Sequence, residues 1–286
     1  MDAQGTRLAA FGTAGDGEPL MARWTFTQHD EVAWRHGHAT PASRLVAEEV
    51  AVAISYNGST HAVMMATPAD LEDFGIGFSL TEGIVERASQ IRSIDLVSSK
   101  LGIEVRMWLD GDRGASLAAR RRAMSGPTGC GLCGIESLEQ ARRAPLRVES
   151  TSTFHARDLL AAMQALAPLQ VLNEKTRSVH AAAFWLPATG IGPVREDVGR
   201  HNALDKLAGA IHGDDSARAG AILLTSRVSV EMVQKAAMIG VPLMIAVSAP
   251  TTLAIQTAEE ASITLLAIAR DDGYSVFTHP YRVVLS

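Results

Sequence analysis

Ala221-Ile222-Leu223-Leu224-Thr225-Ser226-Arg227-Val228-Ser229-Val230-Glu231-Met232-Val233-Gln234-Lys235-Ala236-Ala237-Met238-Ile239-Gly240-Val241-Pro242-Leu243-Met244-Ile245-Ala246-Val247 reads as strand, loop, helix and strand again. The two end runs are apolar without alternation, the pattern of strands covered on both faces. The run from 230 to 239 has a helical pattern and stops at Gly240, which can close a helix in the left-handed conformation without a Cβ penalty. A strand, a crossover helix and a second buried strand make a right-handed parallel unit. A helix from about Leu253 to Ala261 and a strand at Ile263-Thr264-Leu265-Leu266-Ala267-Ile268-Ala269 extend the series. The expectation is an α/β unit with a largely parallel sheet.

The strands leave through Ser226-Arg227-Val228-Ser229, Ser248-Ala249-Pro250-Thr251-Thr252 and Arg270-Asp271-Asp272-Gly273. In open α/β sheets ligands bind at this carboxyl edge. Ser226, Arg227, Ser229, Ser248, Thr251, Thr252 and Arg270 bring hydroxyls and guanidinium groups beside helix N-terminal amides, which suits an anion or a phosphate. The exits contain neither a P-loop nor a Gly-x-Gly-x-x-Gly fingerprint.

Upstream, Glu49–Tyr56 and Ser59–Ala66 flank Asn57-Gly58, a strong hairpin signal. Thr67-Pro68 opens a helix with Leu71, Phe74 and Phe78 on one face, Thr67 being its expected cap. Gly75 and Gly77 weaken that helix and permit close packing on the hairpin. Strands follow at 94–97 and 103–109. The reading is a smaller α+β domain over 44–118, ahead of an Arg-rich segment with a cysteine loop at 119–145 and the α/β domain at 146–286. Residues 1–43 are poorly patterned, and we expect a partly ordered arm whose His29, His36 and His38 are solvated. No acid or cysteine spacing completes a metal set there, so no resident metal is expected.

Thr128-Gly129-Cys130-Gly131-Leu132-Cys133-Gly134 holds both cysteines of the chain among three glycines. A short helical pattern follows at 135–143, and the positive end of a helix favours thiolate over thiol. Cys130 and Cys133 are therefore candidate nucleophiles or sulfur carriers. Arg120-Arg121-Arg122 just ahead reads either as a solvated run or as a clamp for an anionic ligand. His180, at the head of a small-residue strand, is either a satisfied structural group or a base for a thiol. The stretch Pro193–Leu207 packs Arg195, Glu196, Asp197, Arg200 and His201 closely, as a site-lining loop or as charges that pair with one another.

With 286 residues and a net charge of −5, the chain has length for two domains and no basic field for nucleic acid. Two cysteines are too few for a disulfide scaffold. No apolar run reaches the roughly 18 residues of a membrane helix, and no apolar signal core opens the chain. A cytoplasmic protein with reduced thiols is expected.

The assembled blocks resemble the FdhD/NarQ family, the formate dehydrogenase accessory sulfurtransferases, from about residue 44 to the end. The resemblance rests on the runs 63–72 and 77–84, on the cysteine loop 128–134, on His180-Ala181-Ala182-Ala183, and on the runs 195–207 and 226–235. It implies a sulfur carrier between an IscS-like cysteine desulfurase and the molybdenum cofactor of formate dehydrogenase. Cys130 would bear the persulfide and Cys133 would be an auxiliary thiol. The client cofactor would be molybdenum bis-(molybdopterin guanine dinucleotide). Its guanine portion, or GDP or GMP in its place, would bind near Ile268, Ala269, Arg270, Asp271, Asp272 and Gly273. The chain keeps the basic Arg270 but has Asp271 and Asp272 where the family is usually neutral. The resemblance also implies a cytidine-deaminase-like three-layer αβα C-terminal domain. The apolar helix around Phe74 to Leu80 leaves room for a homodimer. Rival readings of the same residues are a thiol–disulfide oxidoreductase, a zinc-binding module and a chaperone that only shields the cofactor.

Overall fold

The structure, a computed structural model, describes residues 25–111 and 145–285. The chain opens with β1 (Phe26–Arg35) and β2 (His38–Ala47), an antiparallel ribbon paired from Phe26–Ala47 to Arg35–His38. Its two turn residues, His36 and Gly37, both have positive φ, as a tight hairpin turn requires. Over 26–43 this corrects the reading of a poorly patterned arm; residues 1–24 lie outside the described residues. The ribbon projects into solvent, so neither face carries the alternation that betrays a half-buried strand, and Val32 and Trp34 are about 70% exposed.

The next unit is a four-stranded sheet of order β4-β3-β6-β5. It comprises β3 (Val50–Tyr56), β4 (Ser59–Ala66), β5 (Ile91–Ser98) and β6 (Ile103–Leu109), with β3 parallel to β6 and the other pairs antiparallel. Asn57 and Gly58 form the expected turn, both with positive φ. One face is covered by α1 (Leu71–Thr81), whose Phe74 and Phe78 are buried with Ile54, Val105 and Met107. Gly75 brings α1 onto this sheet, because a Cβ there would lie 2.6 Å from Val105 Cγ1.

The second sheet has six strands in the order β13-β12-β11-β10-β8-β9. These are β8 (His180–Leu186), β9 (Gly190–Asp197), β10 (Ala221–Leu224), β11 (Leu243–Ala246), β12 (Thr264–Arg270) and β13 (Gly273–Val276). Only β10–β11 and β11–β12 are parallel; β8 is antiparallel to both of its neighbours, and β13 to β12. The sheet is therefore mixed rather than largely parallel. One face packs on α4 (Arg200–Ala210), α5 (Val230–Ile239) and α6 (Thr252–Glu260) through Ile222, Leu224, Met244 and Ala246. Leu223, Leu243 and Ile245 turn to the other face, where Leu159 and Leu166 of α2 (Ala156–Leu166) lie. The continuous apolar runs follow from this double cover: alternate residues face opposite ways and both sides are dry. A short α3 (Val171–Thr176) sits between α2 and β8, and β7 (Phe154–His155) pairs with β14 (Val283–Val284).

The two sheets are joined by a crossing of α1 over α4 with backbones in contact. A Cβ on Gly77 would fall 1.7 Å from the Asp205 carbonyl oxygen, and one on Gly209 would fall 1.9 Å from that of Asp73. Gly77 thus serves the other sheet's helix, not the hairpin. Leu71, Phe74 and Phe78 of α1 are buried inside the chain, while Ile76 and Leu80 stay partly exposed. Among the described residues no helix is long and apolar enough to cross a membrane.

Candidate functional site

The topology collects one edge of the six-stranded sheet. The carboxyl ends of β9, β10, β11 and β12 meet there with the start of β8, because β8 runs against its neighbours. The helices α4, α5 and α6 all begin at this edge, so their free amides and positive dipole ends point to one side. The exits of β10 and β11 run side by side: Val228 bridges Pro250, and the Thr251 amide donates to the Val228 carbonyl at 3.0 Å. Next in order, the Ile268 amide reaches the Ser248 carbonyl at 3.4 Å. The Arg270 guanidinium donates across to the Val247 carbonyl and to its own neighbour Ala269 at 2.7 Å.

Ser229 precedes α5 and lies 3.3 Å from His201 Nε2, which is 3.7 Å from Glu231. Burial and then the nearby Arg200 hold both His180 and His201 below the usual histidine range, so both are neutral imidazoles at pH 7. Arg200 Nε is buried and has no hydrogen-bond partner among the described residues. Ser226 is buried and donates to the Arg227 carbonyl, whereas the Arg227 side chain is exposed. The edge therefore holds Ser226 and Arg227 on the loop that leads to Ser229, which lies beside His201. Ile268 to Gly273 lie two strands further along, with Asp271 and Asp272 exposed and the Asp271 carbonyl tied to Gln164 of α2 at 3.2 Å. Ile268 holds φ at 58°, an uncommon strain for a β-branched residue, at the irregularity between β12 and β13.

The stretch 193–207 proves to be mostly strand β9 and helix α4, and most of its charges are spent on architecture. Arg195 clamps Asp73 of α1 at 2.7 Å. Glu196 accepts the Leu172 and Asn173 amides, each at 2.8 Å, and so satisfies the start of α3. Burial pushes its carboxyl up against those bonds. Asp197, wholly buried, takes Lys206 Nζ at 2.7 Å and the Thr67 amide at 3.0 Å, together with Gly199 N and Asn202 Nδ2. Thr67 is thus no helix cap; its hydroxyl accepts the Val198 amide, and α1 begins only at Leu71 after Asp70. The interlock fixes the first turn of α4, leaving Arg200 and His201 at the edge.

A second buried knot was not legible in advance. Lys235 Nζ of α5 donates to Asp205 Oδ1 at 2.9 Å, Glu82 at 2.6 Å and Thr81 Oγ1 at 3.0 Å. Burial pulls its ammonium down, but the Asp205 and Glu82 carboxylates outweigh this and hold it above the usual lysine range. The available signal was chemical: Asp205 and Lys206 stand between Leu204 and Leu207, charged residues inside an apolar helix face.

Cys130, Cys133 and the run Arg120 to Arg122 lie outside the described residues. Of the described residues that flank them in the chain, Asp110 pairs with Arg92 at 2.6 Å, and the Val148 amide donates to the Ala261 carbonyl at 2.8 Å, at the end of α6. The carboxyl edge lies at the opposite ends of the helices.

The FdhD/NarQ family profile matches residues 47–284. A sulfur carrier protein FdhD from Agrobacterium fabrum is 53% identical over 255 residues, covering 88% of this chain and 94% of its own. One from Cupriavidus necator is 50% identical over 273 residues, covering 94% and 93%. The crystal structure of a candidate formate dehydrogenase accessory protein from Desulfotalea psychrophila superposes with a TM-score of 0.71 at 25% identity, over 91% of this chain and all of that one.

Proposed function

The chain belongs to the FdhD/NarQ family, and from that premise we propose that it carries sulfur on Cys130 from a cysteine desulfurase to the molybdenum cofactor destined for formate dehydrogenase. The observation that carries this reading is the roughly half-identical relatives named as sulfur carrier proteins, in a match that spans both cysteines. The Cys130 thiolate attacks the terminal sulfur of the donor's persulfide. A Cys130–sulfur bond forms, the donor's sulfur–sulfur bond breaks, and its electron pair leaves on the donor thiolate, so no outside oxidant is needed. Cys133 thiolate then attacks Cys130 Sγ. The terminal sulfur leaves as hydrosulfide, the two cysteines become a disulfide, and a cellular thiol reductant restores them. The hydrosulfide is the species that becomes a sulfido ligand on the client molybdenum.

The carboxyl edge supports the second half of the reading. Three helix N-termini, the hydroxyls of Ser226 and Ser229, the guanidinium groups of Arg227 and Arg270 and the unpartnered Arg200 Nε suit phosphates. We assign the guanine-nucleotide end of bis-(molybdopterin guanine dinucleotide), or free GDP or GMP, to this edge near Ile268–Gly273. The strand directions, with β8 alone reversed between β9 and β10–β12, support a cytidine-deaminase-like C-terminal unit.

The test is intact-mass spectrometry after incubation with a cysteine desulfurase and cysteine. Cys133→Ala, which cannot discharge the persulfide, gains sulfur that a reductant removes, the parent chain gains it or ends as the Cys130–Cys133 disulfide, and Cys130→Ala gains none. No gain on Cys133→Ala would refute the carrier reading and favour the redox or shielding alternatives.

A further inference from the structure

Around the starts of α4 and α5 the carboxylates are mostly spent on partners. Asp197 takes Lys206, Asp205 and Glu82 share Lys235, and Glu196 takes two amides. Glu231, in the first turn of α5, is different. Its side chain is 41% exposed, it lies 3.7 Å from His201 Nε2, and among the described residues no lysine or arginine pairs with it. Burial raises its carboxyl, but the Ser229 hydroxyl, its own amide, His201 and Arg200 outweigh this and hold it below the usual glutamate range. His201 itself is a neutral imidazole. An ionised acceptor with no cation in contact therefore stands at the same edge as the phosphate-suited donors.

A phosphate alone is repelled by this carboxylate. A ligand that suits both keeps its negative charge elsewhere and presents N–H groups here. A ring N–H beside an exocyclic amino group meets a carboxylate through two parallel hydrogen bonds. Guanine and pterin both carry such an aminopyrimidinone edge, and position separates them. The guanine end is assigned to Ile268–Gly273 at the exit of β12, whereas α5 follows β10. Strands β10, β11 and β12 are consecutive neighbours, so the two places lie two strand spacings apart, about 10 Å. A single bicyclic ring does not reach both. The start of α6, at the β11 exit, lies between them and suits the phosphates.

We propose that Glu231, with His201 beside it, receives the aminopyrimidinone edge of the pterin at the other end of the client dinucleotide. The inference rests on the assignment of the guanine end to this edge and deepens it, and the test separates the two. Binding to the full-length chain is measured with three probes. Neopterin is a free pterin, the lumazine of the same side chain has a carbonyl in place of the amino group, and GDP reports the guanine end.

The parent chain binds neopterin at least about tenfold more tightly than the lumazine, because the carboxylate meets a carbonyl where it needs a donor. Saturating GDP leaves the neopterin affinity unchanged. Glu231→Gln presents one acceptor and one donor, so it loses at least about tenfold in neopterin affinity together with the preference over lumazine. Its GDP affinity does not fall, which also shows that the variant is folded. Parental neopterin affinity in Glu231→Gln, an equal fall for GDP, or displacement of neopterin by GDP would overturn the proposal. GDP binding without neopterin binding by the parent chain would overturn it too and leave the nucleotide assignment standing. No GDP binding by the parent chain would remove that assignment and this inference with it.

Discussion

Replacing Lys206 by methionine leaves Asp197 with its charge and without its counterion. Both side chains are wholly buried and their ion pair spans 2.7 Å. Removing one partner of such a pair costs about 3–5 kcal/mol, since the remaining charge stays desolvated. Asp197 keeps three donors, the amides of Thr67 at 3.0 Å and Gly199 at 2.8 Å and the Asn202 side chain at 2.9 Å. These place Lys206→Met near the lower end, about 3 kcal/mol. The Thr67 carbonyl also loses its 2.9 Å bond from Lys206. Against a total stability of about 5–15 kcal/mol this is a large fraction, and it lowers the melting temperature by roughly 6–12 °C for a chain of this size. Asp197→Asn combined with Lys206→Met removes both charges and recovers at least about 1 kcal/mol relative to Lys206→Met alone. The assay is equilibrium urea unfolding of the four cycle members, followed by circular dichroism at pH 7. A cost below about 1 kcal/mol for Lys206→Met, or single-variant costs that simply add, would refute the view that this pair holds β9, α4 and the Thr67 loop together.

Gly77→Ala drives a Cβ into the Asp205 carbonyl, a backbone atom that no rotamer change can move. It lowers thermal stability by at least the about 1–3 kcal/mol of ordinary overpacking, and an unchanged melting curve would contradict the crossing geometry. His180 and His201 take protons less readily in the folded chain than in the unfolded one. Their contribution to stability is therefore full above the unfolded value of about 6.5 and is lost as the pH falls below it and through their lowered folded values. The urea midpoint should fall between pH 7.5 and 5.5, and the doubly substituted His180→Gln, His201→Gln chain should show a shallower fall; an equal fall would rule these imidazoles out as its source.

Some of the molecule could be read from the sequence because the relevant physics is local. The buried strands β10, β11 and β12 are runs of apolar residues that only a doubly covered sheet produces. Asn57-Gly58 dictates its own turn, and Gly240 does end α5 in the left-handed conformation. The family was legible for the same reason, since ordered blocks such as 195–207 and the cysteine loop are matters of residue identity and spacing. The β1–β2 ribbon was not legible, because a strand pair exposed on both faces has no buried side to impose alternation.

The charged stretch 193–207 shows where the sequence alone stops. It established that Arg195, Glu196, Asp197, Arg200 and His201 lie close together along the chain, and left open whether they serve a ligand or one another. Tertiary structure divided them. Arg195 reaches back to Asp73, Glu196 to the start of α3, and Asp197 to Thr67 and Lys206, while Arg200 and His201 stay at the edge. Partners such as Asp73 and Thr67, more than a hundred residues away, leave no local periodicity, because a buried charge is satisfied by whatever the fold brings to it. The reversal of β8, which brings His180 to the carboxyl edge, was likewise decided by sheet order: a strand's own residues specify its burial and not its direction.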